Sequence, residues 1–136
     1  MRLEISTPGG LVLERDVEWS TVPTVSGDVG IFPGHVPLVA AVRPGMLRFG
    51  CAGSQEAIAV DRGFLHFRSD VLCLMVEDAI DVRSIDGNEA ATARKKAEDA
   101  LAEARRTPRL DAGEMARLEA KVRYQIVKQR AGGQPH

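Results

Sequence analysis

Residues 71–106 read VLCLMVEDAIDVRSIDGNEAATARKKAEDALAEARR, and the chain changes character inside them. Val71-Leu72-Cys73-Leu74-Met75-Val76 is the longest uninterrupted apolar run, at six residues. That is strand length, and a membrane helix needs about 20. Leu72, Leu74 and Val76 face one way, and Val71, Cys73 and Met75 the other. Both sets are apolar, which predicts a central strand covered on both sides. After Ile80 the β-branched residues and glycines thin out, and Ala, Glu, Lys and Arg take over. The expected fold is therefore an all-β sandwich over residues 1–84 followed by an α-helical hairpin over 85–136.

Upstream, nine of the 13 glycines and five of the seven prolines fall before residue 85. They punctuate short alternating runs: Leu3–Thr7, Leu11–Leu13, Val17–Val22, Leu38–Val42, Met46–Phe49, Ala57–Val60, Phe64–Phe67 and Val71–Val76. Turn signals separate these runs, among them Pro8-Gly9-Gly10, Pro44-Gly45, Gly53-Ser54 and Ser69-Asp70. Many short strands at near-regular spacing indicate a sandwich or flattened barrel.

Downstream, Asp86-Gly87-Asn88-Glu89 and Asp111-Ala112-Gly113-Glu114 are both D-x-x-E. Each fits a capping box, with Asp as cap and Glu reaching back to the first amide. Arg105-Arg106 and Thr107-Pro108 end the first helix. Lys128 and Arg130, before Gly132-Gly133, end the second. The first helix offers Ala90, Ala93, Ala97, Ala100, Leu101 and Ala104, and the second Met115, Leu118, Val122 and Ile126. Small against large permits close approach. An alanine seam buries little area, so this hairpin is expected to dock and undock readily.

The net charge of −1 hides a split. Residues 1–84 carry 7 Arg, no Lys and 11 acids, a net −4; residues 85–136 carry 11 Lys/Arg and 8 acids, a net +3. Such asymmetry assigns the two parts different surroundings. Met1-Arg2-Leu3-Glu4 runs directly into a patterned segment, so no signal peptide is expected and a reducing compartment is favoured. Cys51 and Cys73 form no CxxC and have no His cluster, so no metal site is expected. Cys73 reads as a small core hydrophobe.

No convincing active site emerges. His35 lies in a Pro/Gly turn, His66 in a strand between Leu65 and Phe67, and His136 at the terminus. Gly-x-Ser-x-Gly, Walker and HExxH patterns are missing. Acid pairs such as Glu77-Asp78 read as solvated carboxylates.

The most distinctive stretch is Val25-Ser26-Gly27-Asp28-Val29-Gly30-Ile31-Phe32-Pro33-Gly34-His35-Val36-Pro37-Leu38. Physically it is a turn, a short apolar pair, then a second turn made rigid by two prolines. Together with Leu3–Pro8, Val22-Pro23, Arg43-Pro44-Gly45 and Gly63-Phe64, it resembles the epsilon subunit of bacterial F-type ATP synthases. The G-[DE]-x-G-[IV]-x-P-G-H-x-P-L pattern is specific, and the resemblance runs from residue 2 to about 130.

The resemblance implies a ten-stranded sandwich and a two-helix hairpin. It implies a rotor subunit, not a catalyst, peripheral on the cytoplasmic face of the bacterial inner membrane. Its partners would be the gamma subunit, the c-ring and the alpha/beta catalytic hexamer of a proton-translocating enzyme. Ser26, Gly27, Asp28 and His35 would lie toward the c-ring and gamma. The hairpin would inhibit ATP hydrolysis when extended and lie on the sandwich when compact. Arg117, Lys121, Arg123, Lys128 and Arg130 form its basic helix, with no acid after Glu119. Some family members bind ATP through [IL]-D-x-x-R-A. Here the positions hold Ile85, Asp86, Glu89 and Ala90, and Glu stands in place of Arg. An anion there opposes phosphate, so no cofactor is expected and ATP binding is expected to be weak or absent.

Two other readings compete. One is a structural adaptor whose hairpin never inhibits. The other is nucleic-acid binding by the basic tail, but Tyr124 is the only aromatic residue there, which disfavours it.

Overall fold

The computed structural model describes residues 1–107 and 111–132. Pro108 as helix stop, Gly133 as the end of the arm, and His136 lie outside these residues. Ten strands run β1 (Arg2–Thr7), β2 (Gly10–Asp16), β3 (Trp19–Thr24), β4 (Gly27–Ile31), β5 (Leu38–Val42), β6 (Gly45–Cys51), β7 (Ser54–Val60), β8 (Gly63–Arg68), β9 (Val71–Val76) and β10 (Ala79–Asp81). A 3-10 turn (Val82–Ser84) leads to α1 (Gly87–Arg105) and α2 (Ala112–Gly132).

The strand order is β10-β7-β6-β3-β5-β8-β9-β1-β2, with β4 on the side of β3. The continuous path folds over at one corner, where β3 and β5 share the pair Thr24–Val42. Val25 donates to the Ala41 carbonyl and Arg43 to the Pro23 carbonyl, which closes that corner. One layer holds β10, β7, β6, β3 and β4, and the other holds β5, β8, β9, β1 and β2. Between them lie Leu3, Ile5, Val22, Ile31, Leu47, Phe49, Val60, Leu65, Phe67, Leu72 and Leu74, all nearly without exposure. Alternation explains this: each strand sends every second side chain inward.

The hairpins follow from local chemistry. The β6–β7 loop is Ala52-Gly53 and the β8–β9 loop is Ser69-Asp70, and all four residues have positive φ. That is the two-residue primed turn, whose twist matches that of paired strands. β1 runs parallel to β9, with Leu3 opposite Leu72 and Ile5 opposite Leu74. This pairing ties the N-terminus into the middle of a sheet.

Three expectations need correction. The strand Val71–Val76 is central in its hydrogen bonding, between β8 and β1. Its second face is not covered, however: Met75 is 49% exposed, and Val71 and Cys73 are only half-buried. Cys73 is accordingly an outward-facing free thiol, pushed up in pKa by burial and then by Glu4 beside it. Next, the stretch read as two turns around an apolar pair contains β4, paired with β3 from Ser20–Ile31 to Thr24–Gly27. Val29 and Ile31 alternate toward the core, too brief a signal to read as a strand. Last, Ala100 is exposed, whereas Ala90, Leu101 and Ala104 are buried.

Gly63 holds the tightest position in the sheet. A Cβ there would sit 2.0 Å from the Met75 carbonyl oxygen and 2.7 Å from Val76 Cα. Backbone cannot yield to it without separating β8 from β9. Gly63→Ala is therefore expected to destabilise the sandwich by about 3 kcal/mol, measured as a lowered urea midpoint. An unchanged midpoint would show that the pair opens freely.

Candidate functional site

The seam between the helices and the sandwich gathers most of the charged side chains singled out above. Asp86 caps α1, its carboxylate accepting from the Asn88 and Glu89 amides at 2.8 and 3.2 Å. Asp111 caps α2, accepting from Glu114 N at 2.7 Å. The aspartate half of each capping box is formed; the bond from Glu89 back to the first amide is not among those present. The helices lie antiparallel, joined by Arg94 donating to Gln129 at 3.0 Å and by Arg105 beside Glu119 at 3.9 Å.

α2 has a second face that its apolar stripe does not announce. Met115, Leu118, Val122 and Ile126 are only half-buried, and the buried residues are Ala120, Tyr124, Gln125 and Ala131. Ala116, Ala120 and Arg123 border a cleft of about 690 Å³ against Val25, Phe64 and Met75. Val127 and Ala131 reach Met46 on β6. Spacings of three and four residues place this set on one helical face, turned to the sandwich.

Tyr124 anchors that face. It is 2% exposed, and its hydroxyl donates to Asp78 Oδ2 at 2.8 Å. Burial first, and the bond to Asp78 second, hold its pKa far above the ordinary phenol range, so it stays a donor. Lys128 lies 5.0 Å from its ring centroid, a cation–π contact. Arg117 and Lys121 share a cleft with Asp61, Glu77, Asp78 and Gln125. Asp61 is 6% exposed. Burial raises its pKa; the Arg62 amide lowers it, Glu77 and Asp78 raise it, and Lys121 lowers it. Gln125 Oε1 is buried without a partner. Tyr124, buried here, is not free to stack on a base.

The remaining sites separate. Val25 and Ser26 form the tip of the β3–β4 turn, where Ser26 N donates to Thr24 Oγ1 at 3.2 Å, and Gly27 opens β4 opposite Thr24. Asp28 on β4 accepts from Arg43 at 2.7 Å, beside a cleft that also includes Arg48 and Arg130. His35 precedes β5, its ring edge-on to Phe67 at 5.8 Å. Gly34, at φ +83°, donates its amide to Asp70 at 2.8 Å, fixing that turn. Asp28 thus binds Arg43 just past the end of β5, while His35 packs at its start. The structure does not bring the two together. In the ATP-motif positions Ile85 is half-buried, Asp86 is engaged as cap, Glu89 is exposed and Ala90 is buried.

One surface escaped the sequence reading. Outside the second layer, Ala41, Phe64 and Met75 lie in register across β5, β8 and β9. Phe64 is 59% exposed and Val39 is 77% exposed. Apolar residues at outward positions of Phe64–Phe67 and Val71–Val76 were the available signal. No helix among the described residues is long and apolar enough to cross a membrane.

Fold and seam together define a β-sandwich protein with a helical arm folded against it. Residues 1–82 match the family described as ATP synthase, Delta/Epsilon chain, beta-sandwich domain. An ATP synthase epsilon chain of Bacillus velezensis is 41% identical over 101 residues, covering 74% of this chain and 76% of that one. One from Staphylococcus epidermidis is 39% identical over 104 residues, covering 76% and 78%. In fold, the chain resembles a chain of the Euglena gracilis mitochondrial ATP synthase OSCP/F1/c-ring structure. That match has a TM-score of 0.71 and 20% identity, over 95% of this chain and 79% of that one. A chain of the Tetrahymena thermophila mitochondrial ATP synthase central stalk/c-ring structure matches at a TM-score of 0.55 and 17% identity, over 97% and 96%. This chain belongs to the ATP synthase epsilon chain family.

Tyr124→Phe tests the anchor. It removes one hydrogen bond to a carboxylate and keeps the ring, a loss of about 1.5 kcal/mol. Amides of α2 are expected to exchange about tenfold faster while those of β9 stay unchanged. Equal protection of α2 and β9 in both proteins would show that the arm does not open separately.

Proposed function

We propose that this chain is a non-catalytic rotor subunit of a proton-translocating ATP synthase. Its sandwich couples the gamma subunit to the c-ring, and its helical arm regulates ATP hydrolysis. Family membership supports the placement in the complex. The seam supports the regulation: α2 meets the sandwich through alanines, one phenol–carboxylate bond and exposed charges that share a cleft. Such contacts are weak enough to break within a working cycle. The split domains, 1–84 and 85–136, then have separate tasks.

In this reading the exposed face of Val39, Phe64 and Met75 meets gamma. Large apolar side chains aligned on an open sheet mark an interaction surface. Asp28, on β4 beside Ser26 and Gly27, faces the polar loops of the c-ring, and His35 lies toward the contact between gamma and the c-ring. The subunit is peripheral, on the cytoplasmic face of the bacterial membrane. Extended, the basic residues Arg117, Lys121, Arg123, Lys128 and Arg130 meet acidic segments of the catalytic hexamer.

Deleting residues 86–136 within the purified complex is the deciding experiment. Assembly is expected to survive and ATP hydrolysis to rise severalfold. Unchanged hydrolysis would leave the structural adaptor as the correct reading.

Nucleotide does not control this arm through the ATP-motif positions. The Asp86 carboxylate is engaged by two amides, and Glu89 would repel phosphate. Titration calorimetry of the isolated chain is expected to show no micromolar ATP binding at these positions. Micromolar binding that disappears in Asp86→Ala would contradict this.

A further inference from the structure

α2 shuts one carboxylate of the sandwich off from water. Asp61 lies in the link between β7 and β8 and is 6% exposed. The cleft beside it, about 470 Å³, has one wall from the sandwich and one from α2, where Arg117, Lys121, Tyr124 and Gln125 stand. Undocking removes the second wall and returns Asp61 to solvent. Among the described residues its carboxylate accepts one hydrogen bond, from the Arg62 amide at 2.7 Å. An ionised carboxylate has about four lone-pair sites to satisfy, so this one is poorly compensated when charged.

The charged neighbours do not make up the shortfall. On the sandwich side, Glu77 and Asp78 carry the same charge as Asp61. Glu77 is paired with Arg62 at 3.2 Å, and Asp78 accepts from Tyr124 at 2.8 Å. On α2, Arg117 is drawn to Glu114 at 3.5 Å, which leaves the exposed ammonium of Lys121 to favour the charged form. Burial outweighs it and holds the Asp61 carboxyl above its ordinary pKa. Gln125, whose buried Oε1 has no partner, borders the same cleft. A protonated Asp61 carries the O–H donor that this acceptor lacks.

We propose that docking of the arm takes up one proton at Asp61, so that acid favours the docked arm and alkali the free one. The proton comes from solvent as α2 settles over the cleft and returns to it when α2 lifts. With the arm free, Asp61 is solvated and titrates as an ordinary aspartate, at about 3.9. Docked, it titrates higher. The advantage of docking is therefore complete below the free value and is lost as pH rises through the docked value. Generic charge attraction runs the other way, because acid neutralises the sandwich carboxylates and weakens their hold on a basic arm. The sign of the pH dependence separates the two effects. Proton-linked docking holds whether or not the arm inhibits hydrolysis.

The test takes the isolated full chain from about pH 8 to about pH 5.5, above the ordinary carboxylate range. Hydrogen exchange of α2 is read as protection factors, which cancels the intrinsic effect of pH on amide exchange, with β9 as the reference. Protection of α2 is expected to rise severalfold on acidification, at no more than about tenfold per pH unit, the limit for one proton. Asp61→Asn keeps the shape and cannot ionise. It is expected to abolish the rise, and to show in alkali the protection that the unaltered chain reaches only in acid. Asp99→Asn removes an exposed carboxylate from α1 and is expected to keep the rise. Carboxyl NMR of the unaltered chain, which needs no variant to fold, is expected to give Asp61 a titration midpoint above about 3.9. Protection that is flat or falls as pH falls would overturn the proposal. So would a rise retained in Asp61→Asn, or an ordinary midpoint for Asp61.

Discussion

One hydrogen bond sets how the two parts of this chain meet: Tyr124 on α2 donating to Asp78 beside β10. Alanines can pack a helix against a sheet in several registers, because they present little shape. A buried phenol cannot, since its hydroxyl needs a partner at one place. Asp78 supplies that place, and its own carbonyl accepts from the Asp61 amide at 2.9 Å. The anchor is thus continuous with the strand ends that frame it. Ala120 and Ala131 allow close approach on either side of Tyr124, but do not choose the position.

The arm's mobility and its specificity then come from different residues. Seam alanines make separation inexpensive, because each removes little apolar area from water. Tyr124, Asp78 and the charged cluster around Asp61 decide where the arm returns. Raised burial of Asp61 works against its ionised form, and Lys121 works for it. That local balance ties the basic helix to the acidic sandwich edge without a large apolar interface. A single extensive core shared by arm and sandwich would have made the two parts one cooperative unit.

Much of this architecture was legible in residue order. Gly/Pro punctuation and alternation located eight strands, and the two D-x-x-E patterns located both helix starts. The misses have physical causes. β4 and β10 are too short or too irregular in pattern to stand out, and their pairing with β3 and β7 is a tertiary property. Met75 was expected to be covered because it sits in an apolar run. Only the fold shows that the face it shares with Phe64 is left open. Tyr124 was visible as the lone aromatic of the arm, yet its burial depends on Asp78, 46 residues away. Asp28 and His35 lie close in sequence, but Asp28 sits on β4 against Arg43, whereas His35 packs beside Phe67 in the turn before β5.

The charge split gains a sharper meaning from this geometry. An arm of +3 above a domain of −4 is attracted at long range, and salt weakens that attraction. Attraction brings the arm near but cannot orient it. In the docked form Arg117 and Lys121 already face Asp61, Glu77 and Asp78. Arg117 pairs within its own helix, with Glu114 at 3.5 Å, while Lys121 favours the ionised form of the buried Asp61 carboxylate. A partner that draws Lys121 away leaves Asp61 without that cation and so weakens the docked form. Extension of the arm further requires Tyr124 to leave Asp78. Competition for these few groups biases an arm whose individual contacts are weak toward one position or the other.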